Sequence, residues 1–168
     1  MTRRAASLMV LMLTLLLGAC GFHLRGQATF ALPFRTLYVK SANDLSPFIA
    51  ELKRSIAATG VQIVTAPEQA QLTLHIVSEA ADKQILSLSA AGRVLEYHLQ
   101  YRVSLRVHDA KQEDWLAPAE ITLWRDFSYD DTQVLAKAQE EALLYQDMRS
   151  DAVQQVLRRL NHVKAPQK

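Results

Sequence analysis

Cysteine is nearly absent from this chain, whose 168 residues include a single one, Cys20. A disulfide framework needs an even number of cysteines, so intrachain disulfides do not hold the domain together. A cysteine nucleophile elsewhere in the chain is excluded as well. The lone thiol is therefore an accidental residue, one half of an intermolecular bridge, or the target of a chemical modification.

Glycine is also scarce, with five residues in the chain, and the glycine-rich phosphate-binding motifs are missing. Neither sign of charge is in large excess, because 19 Lys and Arg residues face 17 Asp and Glu residues. Removal of residues 1–19 would take away Arg3 and Arg4 and leave 17 basic and 17 acidic residues, a net charge of zero. This composition, with no basic run, does not favour nucleic-acid binding.

Catalytic motifs are missing too, including G-x-S-x-G and H-E-x-x-H. Glu96 and His98 share one strand face and could hold a metal, but a solvated polar face explains them better. Asp130 and Asp131 could form an acid–base pair, although two acids at a helix start more often cap it. We therefore predict a protein that is not an enzyme and uses no cofactor or metal; a site assembled from distant residues stays open.

The longest apolar run, 8–17, is about half the roughly 20 residues that a membrane-spanning helix needs. Arg3 and Arg4 precede this run, and the small residues Gly18 and Ala19 follow it. A basic start, a short apolar run and small residues are the order of a secretory signal peptide. The sequence therefore predicts a signal peptide over residues 1–19.

The four residues Leu17-Gly18-Ala19-Cys20 resemble the bacterial lipobox. The resemblance implies that Cys20 carries a diacylglyceryl group and becomes the mature N-terminus. Several acyl chains anchor a soluble domain firmly, because each buried methylene contributes about 0.8 kcal/mol. The next residue is Gly21 and not the Asp that typically favours inner-membrane retention in this class, so the implied location is the periplasmic side of the outer membrane.

The first half of the mature chain reads as an irregular tether followed by alternating elements. Ser46 and Pro47 suit the cap and first position of a helix, and Gly60 suits its left-handed end. Apolar periodicity predicts this helix over 47–59. We expect strands at 35–40, 61–65, 71–80 and 83–89, the last continuing the third, and a turn at 90–92 with Gly92 at positive φ.

The most regular pattern lies after this turn, where apolar and polar residues alternate from Leu95 to His108. Such alternation predicts a half-buried antiparallel strand roughly 45 Å long, with every odd-numbered side chain facing the core. A polar turn at 109–114 and a partner strand at 121–129 follow. We expect Pro118 to precede that strand or to lie on a sheet edge.

Asp130 or Asp131 is expected to cap a final helix that reaches about His162. Its predicted buried stripe consists of Val134, Ala138, Tyr145, Met148, Ala152, Val156 and Leu160. The predicted fold is α+β: a two-layer sandwich with two helices on one face of a mixed, mostly antiparallel sheet of four or slightly more strands, containing a long central hairpin. We predict a lipidated tether at 20–34, a single domain at 35–163 and a flexible tail at 164–168.

Three segments of the chain carry a family pattern: "LGACGFHLRG", "AAGRVLEYHLQYRVSL" and "DDTQVLAKAQEEALLYQDM". They resemble the LptE (RlpB) family of LPS-assembly lipoproteins, and Cys20, Gly21, Phe22, His23, Leu24 and Arg25 match the start of the mature chain in that family. The resemblance implies an outer-membrane lipoprotein that plugs the LptD β-barrel as a heterodimer, helps it assemble and binds lipopolysaccharide (LPS). The family fold is the α/β sandwich expected above.

The resemblance also implies LPS-contacting basic residues in the hairpin turn and near the start of the last helix. Lys137 matches the helix position, where we expect an exposed side chain. At the turn, the family pattern of an Arg before Asn-Gly is replaced by Ala90-Ala91-Gly92, and Arg93 could substitute. A solvated surface charge is the alternative for both residues.

Two other functions stay open: a lipoprotein adaptor of another envelope complex and, less favoured, a periplasmic lipoprotein hydrolase. The adaptor would share the fold and differ in its partner. The hydrolase would require a catalytic constellation that the sequence does not display.

Replacing Cys20 by Ala should mislocalise the protein without unfolding residues 35–162, because the predicted anchor and the predicted core are separate. Membrane fractionation measures the first effect and circular dichroism of the variant in detergent-free buffer the second. Loss of the folded signal in that buffer would contradict the division between anchor and domain.

Overall fold

The computed structural model describes residues 32–165, which form five strands and two long helices. The bounds are β1 Thr36–Lys40, α1 Pro47–Ala57, β2 Gln62–Val64, β3 Leu72–Leu88, β4 Val94–His108, β5 Asp114–Ser128 and α2 Val134–Leu160. Within this part of the chain, neither helix combines the length and apolar character needed to cross a membrane. The predicted signal peptide, Cys20 and most of the predicted tether lie outside the described residues.

The strands form one mixed sheet in the order β2-β1-β3-β4-β5. β1 pairs in parallel with β2 and β3, whereas β3, β4 and β5 form an antiparallel meander. Both helices contribute to a single core on one face of the sheet. The predicted two-layer α+β sandwich is confirmed, with five strands in the sheet.

The central strand β4 follows its predicted alternation over most of its length. Leu99, Tyr101, Val103, Leu105 and Val107 are all buried against the helices. The expectation that every odd residue faces the core is wrong at the tip, where Leu95 is 47% exposed. Leu95 lies near the turn, before the buried residues of β4 begin at Leu99.

Helix α1 begins and ends as its sequence signals predict. The Ser46 hydroxyl accepts a hydrogen bond from the Phe48 N–H at 3.1 Å, and Pro47 is the first helical residue. The helix ends at Ala57, and Gly60 has a φ of 88°. Its buried stripe is Phe48, Ile49, Leu52 and Ile56.

Strand β5 is longer than predicted, beginning at Asp114 and not at 121. Its first half pairs with β4, with Ala119 opposite Leu105 and Leu116 opposite Val107. Pro118 therefore lies inside the strand. It is tolerated because β5 is the edge of the sheet, where one side of the strand needs no N–H donor.

The predicted buried stripe of the last helix is correct in its second half and wrong in its first. Met148, Ala152, Val156 and Leu160 are buried, whereas Val134 and Ala138 are exposed. At this end of the helix, the sheet offers a charged side chain in place of an apolar one. Lys83 pairs with Leu99 in β4, so it faces the helix layer, and its Nζ lies 2.6 Å from Glu141 Oε2.

A second ion pair ties the same helix to β5. Arg125 also lies opposite Leu99, and its Nη2 is 2.6 Å from Asp151 Oδ2. The Tyr145 hydroxyl donates a hydrogen bond of 2.8 Å to the Asp82 carbonyl in β3. Polar contacts therefore join α2 to the sheet beside the apolar core.

Glu79 links the loop before α1 to the sheet. Its carboxylate accepts hydrogen bonds of 2.6 Å from the Ser46 and Tyr101 hydroxyls. Tyr101 is buried, and its ring packs edge-on against Phe48 at 6.3 Å. Burial raises the pKa of Tyr101 well above its usual value, and the hydrogen bond to Glu79 adds to this rise.

The raised pKa of Tyr101 predicts a loss of stability in strong alkali. The folded state keeps the phenol protonated, so this contribution is complete below pH ~10, the unfolded value, and declines as the pH rises toward the folded-state pKa. Tyr101→Phe should cost about 1 kcal/mol at pH 8 and flatten the alkaline decline. Urea unfolding at pH 8 and in the alkaline range measures both effects. Tyr38→Phe, at a half-exposed tyrosine, is the control. If the free energy of unfolding declined equally with pH in the unsubstituted protein and both variants, the prediction would be wrong.

Candidate functional site at the hairpin tip

The turn between β3 and β4 is closed by its own backbone. The Ser89 N–H donates to the Arg93 carbonyl at 2.8 Å, and the Arg93 N–H donates to the Ser89 hydroxyl at 3.1 Å. Gly92 has a φ of 77°, as predicted for the turn. We call this turn, the adjoining ends of β3, β4 and β5, and the first turns of α2 the hairpin tip.

The chain leaving β5 returns to this tip. The Tyr129 N–H donates to the Leu95 carbonyl at 2.7 Å, which places the segment before α2 beside β4. Asp130 then caps a short helical turn, Asp131–Gln133, by accepting a hydrogen bond from the Thr132 N–H at 2.9 Å. Asp130 therefore caps the short turn that leads into α2; the predicted cap of α2 itself is wrong, because Gln133 takes that position without a side-chain hydrogen bond.

Arg93 lies in the open at the tip, with its side chain 71% exposed. Its Nη1 is 3.9 Å from Asp131 Oδ2, a distance at the outer limit of an ion pair. Exposed pairs of this kind contribute little, about 0–1 kcal/mol. The guanidinium is therefore available to an anion in solution.

Lys137 is not the exposed side chain that the sequence led us to expect. Only 15% of it is exposed, because it lies on the helix side that faces the end of β5. Its ammonium group is 2.8 Å from Glu140 Oε2 and donates to the Ser128 hydroxyl at 3.3 Å. An anion would have to compete with Glu140 for this ammonium group.

Arg93 and Lys137 act on the same acidic group. Hydrogen bonds from the Thr132 N–H and hydroxyl, followed by the charges of Lys137 and Arg93, hold the pKa of Asp130 below its usual range. The structure therefore brings Arg93 and Lys137, the two basic residues that the sequence pointed to, to one end of the molecule. Three carboxylates, those of Asp130, Asp131 and Glu140, stand among them.

Large apolar side chains are also exposed around the tip, and the sequence pattern did not predict their exposure. Leu135 is the extreme case, at 82% exposed. The others in this region are Ile85, Leu86, Leu88, Leu95 and Val134. Periodicity assigned Leu95 and Val134 to the core, but whether each is covered depends on what the opposite layer places against it.

An aromatic cluster supports the tip from the helix side of the sheet. The Tyr97 ring is 5.8 Å from Phe127 and 5.1 Å from Tyr129, and Lys83 Nζ lies 4.2 Å from its centroid. Stacked rings and a cation over a ring face add to area burial. The tip therefore presents its basic and apolar groups on an ordered base.

The residues considered for a metal have other partners. Glu96 accepts a hydrogen bond of 2.7 Å from the Ser87 hydroxyl, and His98 Nδ1 pairs with Asp126. Across residues 32–165, no three or more His, Cys, Asp or Glu side chains converge as metal ligands would.

Comparison with known proteins identifies the family. The family model for lipopolysaccharide assembly, LptE, matches residues 34–160. The chain is similar to the LPS-assembly lipoprotein LptE of Pectobacterium atrosepticum, with 27% identity over 161 residues that cover 95% of this chain and 86% of that protein.

Solved structures agree with this match. The solution structure of lipoprotein B from Nitrosomonas europaea is 40% identical, with a TM-score of 0.72 over 84% of this chain and 90% of that one. The crystal structure of rare lipoprotein B from Shewanella oneidensis is 27% identical, with a TM-score of 0.67 over 75% and 93%. The sequence and the fold lead to the same conclusion: the chain belongs to the LptE family of lipopolysaccharide-assembly lipoproteins.

Proposed function

We propose that this chain is an outer-membrane lipoprotein, anchored through Cys20, that plugs the LptD barrel, helps it assemble and binds LPS without catalysing a reaction. Family membership over residues 34–160 supports the assembly role. The relatives that carry the name LPS-assembly lipoprotein support the anchor and the compartment.

The observation that carries the LPS-binding part is the composition of the hairpin tip. LPS presents phosphorylated sugars next to acyl chains. Arg93 and Lys137 supply donors for phosphate, and Ile85, Leu88 and Leu135 supply apolar surface beside them. Exposed apolar side chains next to basic groups suit a ligand that has both anionic groups and hydrophobic chains.

The acidic neighbours set how strongly this site would bind. A phosphate group would replace Asp131 beside Arg93 and Glu140 beside Lys137. The Arg93 exchange is easy because that pair is long and exposed, whereas Lys137 must break a contact of 2.8 Å. Binding would therefore depend on the balance between the phosphate and the two carboxylates.

The plug part of the proposal is supported by the open face of the sheet. This face carries paired polar groups, with Arg102 3.0 Å from Asp82 and Arg106 2.8 Å from Asp114. The lumen of a large outer-membrane barrel is polar, so the ion pairs of this face can lie against it, beside the exposed Trp124.

Two substitutions at one ion pair, with opposite expected effects, test LPS binding. Lys137→Glu should weaken binding of purified LPS about tenfold or more, and Glu140→Gln should strengthen it several-fold, because a charge-assisted hydrogen bond contributes roughly 1.5–3 kcal/mol. Fluorescence titration measures both after circular dichroism has shown that each variant folds. Lys53→Glu in α1, which removes a partner of Asp44, is the matched control. Unchanged binding by both variants would exclude Lys137 from the site.

Affinity purification from solubilised membranes tests the partner. We expect a large outer-membrane barrel to be recovered with the chain in equal amounts, as a plug requires. Recovery of a different envelope complex would show an adaptor, and recovery of the chain alone with hydrolase activity would show an enzyme; either result would overturn the plug proposal.

A further inference from the structure

A second basic region lies at the opposite end of α2 from Lys137. Arg158, Arg159 and His162 line a cavity of about 340 Å³ together with Leu116 and Gln155. At 1.5 Å per helical residue, Arg158 is about 32 Å from Lys137 along the helix axis. No acidic side chain of residues 32–165 lines this cavity, so it differs from the hairpin tip in both position and charge.

Arg159 is held in place with one side of its guanidinium unused. Its Nη2 donates a hydrogen bond of 3.0 Å to the Glu120 carbonyl of β5. Its Nη1 is shielded from solvent and has no hydrogen-bond partner among residues 32–165. A shielded donor without an acceptor costs free energy, which a bound anion would recover.

Capping of the helix end does not explain these arginines. The last carbonyls of α2 already accept hydrogen bonds from the Asn161, His162 and Val163 N–H groups. The Arg158 carbonyl also accepts a hydrogen bond of 2.7 Å from Nδ1 of the His162 ring. Neither guanidinium forms an ion pair within the described part of the chain.

We propose that this cavity binds a phosphate group through Arg158 and Arg159. Guanidinium groups match phosphate oxygens because they present parallel N–H donors in a fixed plane. Arg159, held at Nη2 by the Glu120 carbonyl, would turn its shielded Nη1 toward the phosphate, and the more exposed Arg158 would complete the site. The apolar wall formed by Leu116 suits a phosphate that is attached to a larger molecule.

The position of the cavity favours the headgroup of an anionic phospholipid as the source of this phosphate. Pro33 and Phe34, where the described chain begins, share a groove with Trp115, the neighbour of Leu116. Cys20 precedes Leu32 by 12 residues, which span at most about 40 Å when extended. This step alone rests on the proposed anchor at Cys20; the phosphate site does not.

The test uses the chain with Cys20→Ala, so that acyl chains make no contribution to membrane binding. Arg158→Gln/Arg159→Gln is compared with Arg54→Gln, which removes the same residue type from the last turn of α1. Two probes are used. Binding of inorganic phosphate is monitored through the arginine side-chain NMR signals. Membrane binding is measured with phosphatidylcholine vesicles that contain or lack phosphatidylglycerol. We expect phosphate to shift the Arg159 signals, and we expect the double variant to bind the anionic vesicles about tenfold less tightly; Arg54→Gln should bind them like the unsubstituted protein.

Phosphate binding together with retention on anionic vesicles supports a lipid headgroup, and phosphate binding without retention supports a soluble phosphorylated ligand. Unshifted Arg159 signals at saturating phosphate, or equal losses in the double variant and Arg54→Gln, would overturn the proposal. The single variant Arg158→Gln keeps the contact between Arg159 and Glu120. It replaces the double variant in the vesicle test if the double variant does not fold. LPS binding at Lys137 should be unchanged in all three variants, which separates this proposal from the proposed function.

Discussion

The antiparallel pairing of β4 with both of its neighbours is the constraint on which the rest of this structure depends. β4 alternates strictly, and it pairs with β3 on one side and β5 on the other. A shift of one residue would turn its whole buried set, including Leu99 and Leu105, toward solvent. The two helices can cover only the face that this register selects, so the position of the core follows from one strand.

The length of this sheet compared with its helices explains the hairpin tip. Leu99 is the first buried residue of β4 after the turn, and the strand between the turn and Leu99 is less covered. Opposite Leu99, Lys83 already makes a polar contact from the sheet to Glu141 of α2. Apolar side chains at the tip keep their sequence pattern but lose their cover. A stable core and an exposed amphipathic end are therefore two results of the same long hairpin.

The helix α2 separates two basic regions with different surroundings. At its start, Arg93 and Lys137 stand among three carboxylates, so a bound anion would have to replace protein partners. At its end, Arg158 and Arg159 line a cavity without an acid, and burial lowers the pKa of Arg159 from its usual value. Each end carries two basic side chains, and the difference lies in which partners the fold places beside them.

Local patterns in the sequence determined most of the fold. The alternation of β4, the Ser46–Pro47 helix start and the left-handed turn at Gly92 each depend on neighbouring residues, so they could be predicted from the sequence alone. The early start of β5, the covered position of Lys137, the exposure of Leu95 and Leu135 and the unpartnered Arg159 Nη1 could not. Each of these depends on which residue, distant in sequence, lies opposite or above it, and only tertiary packing decides that.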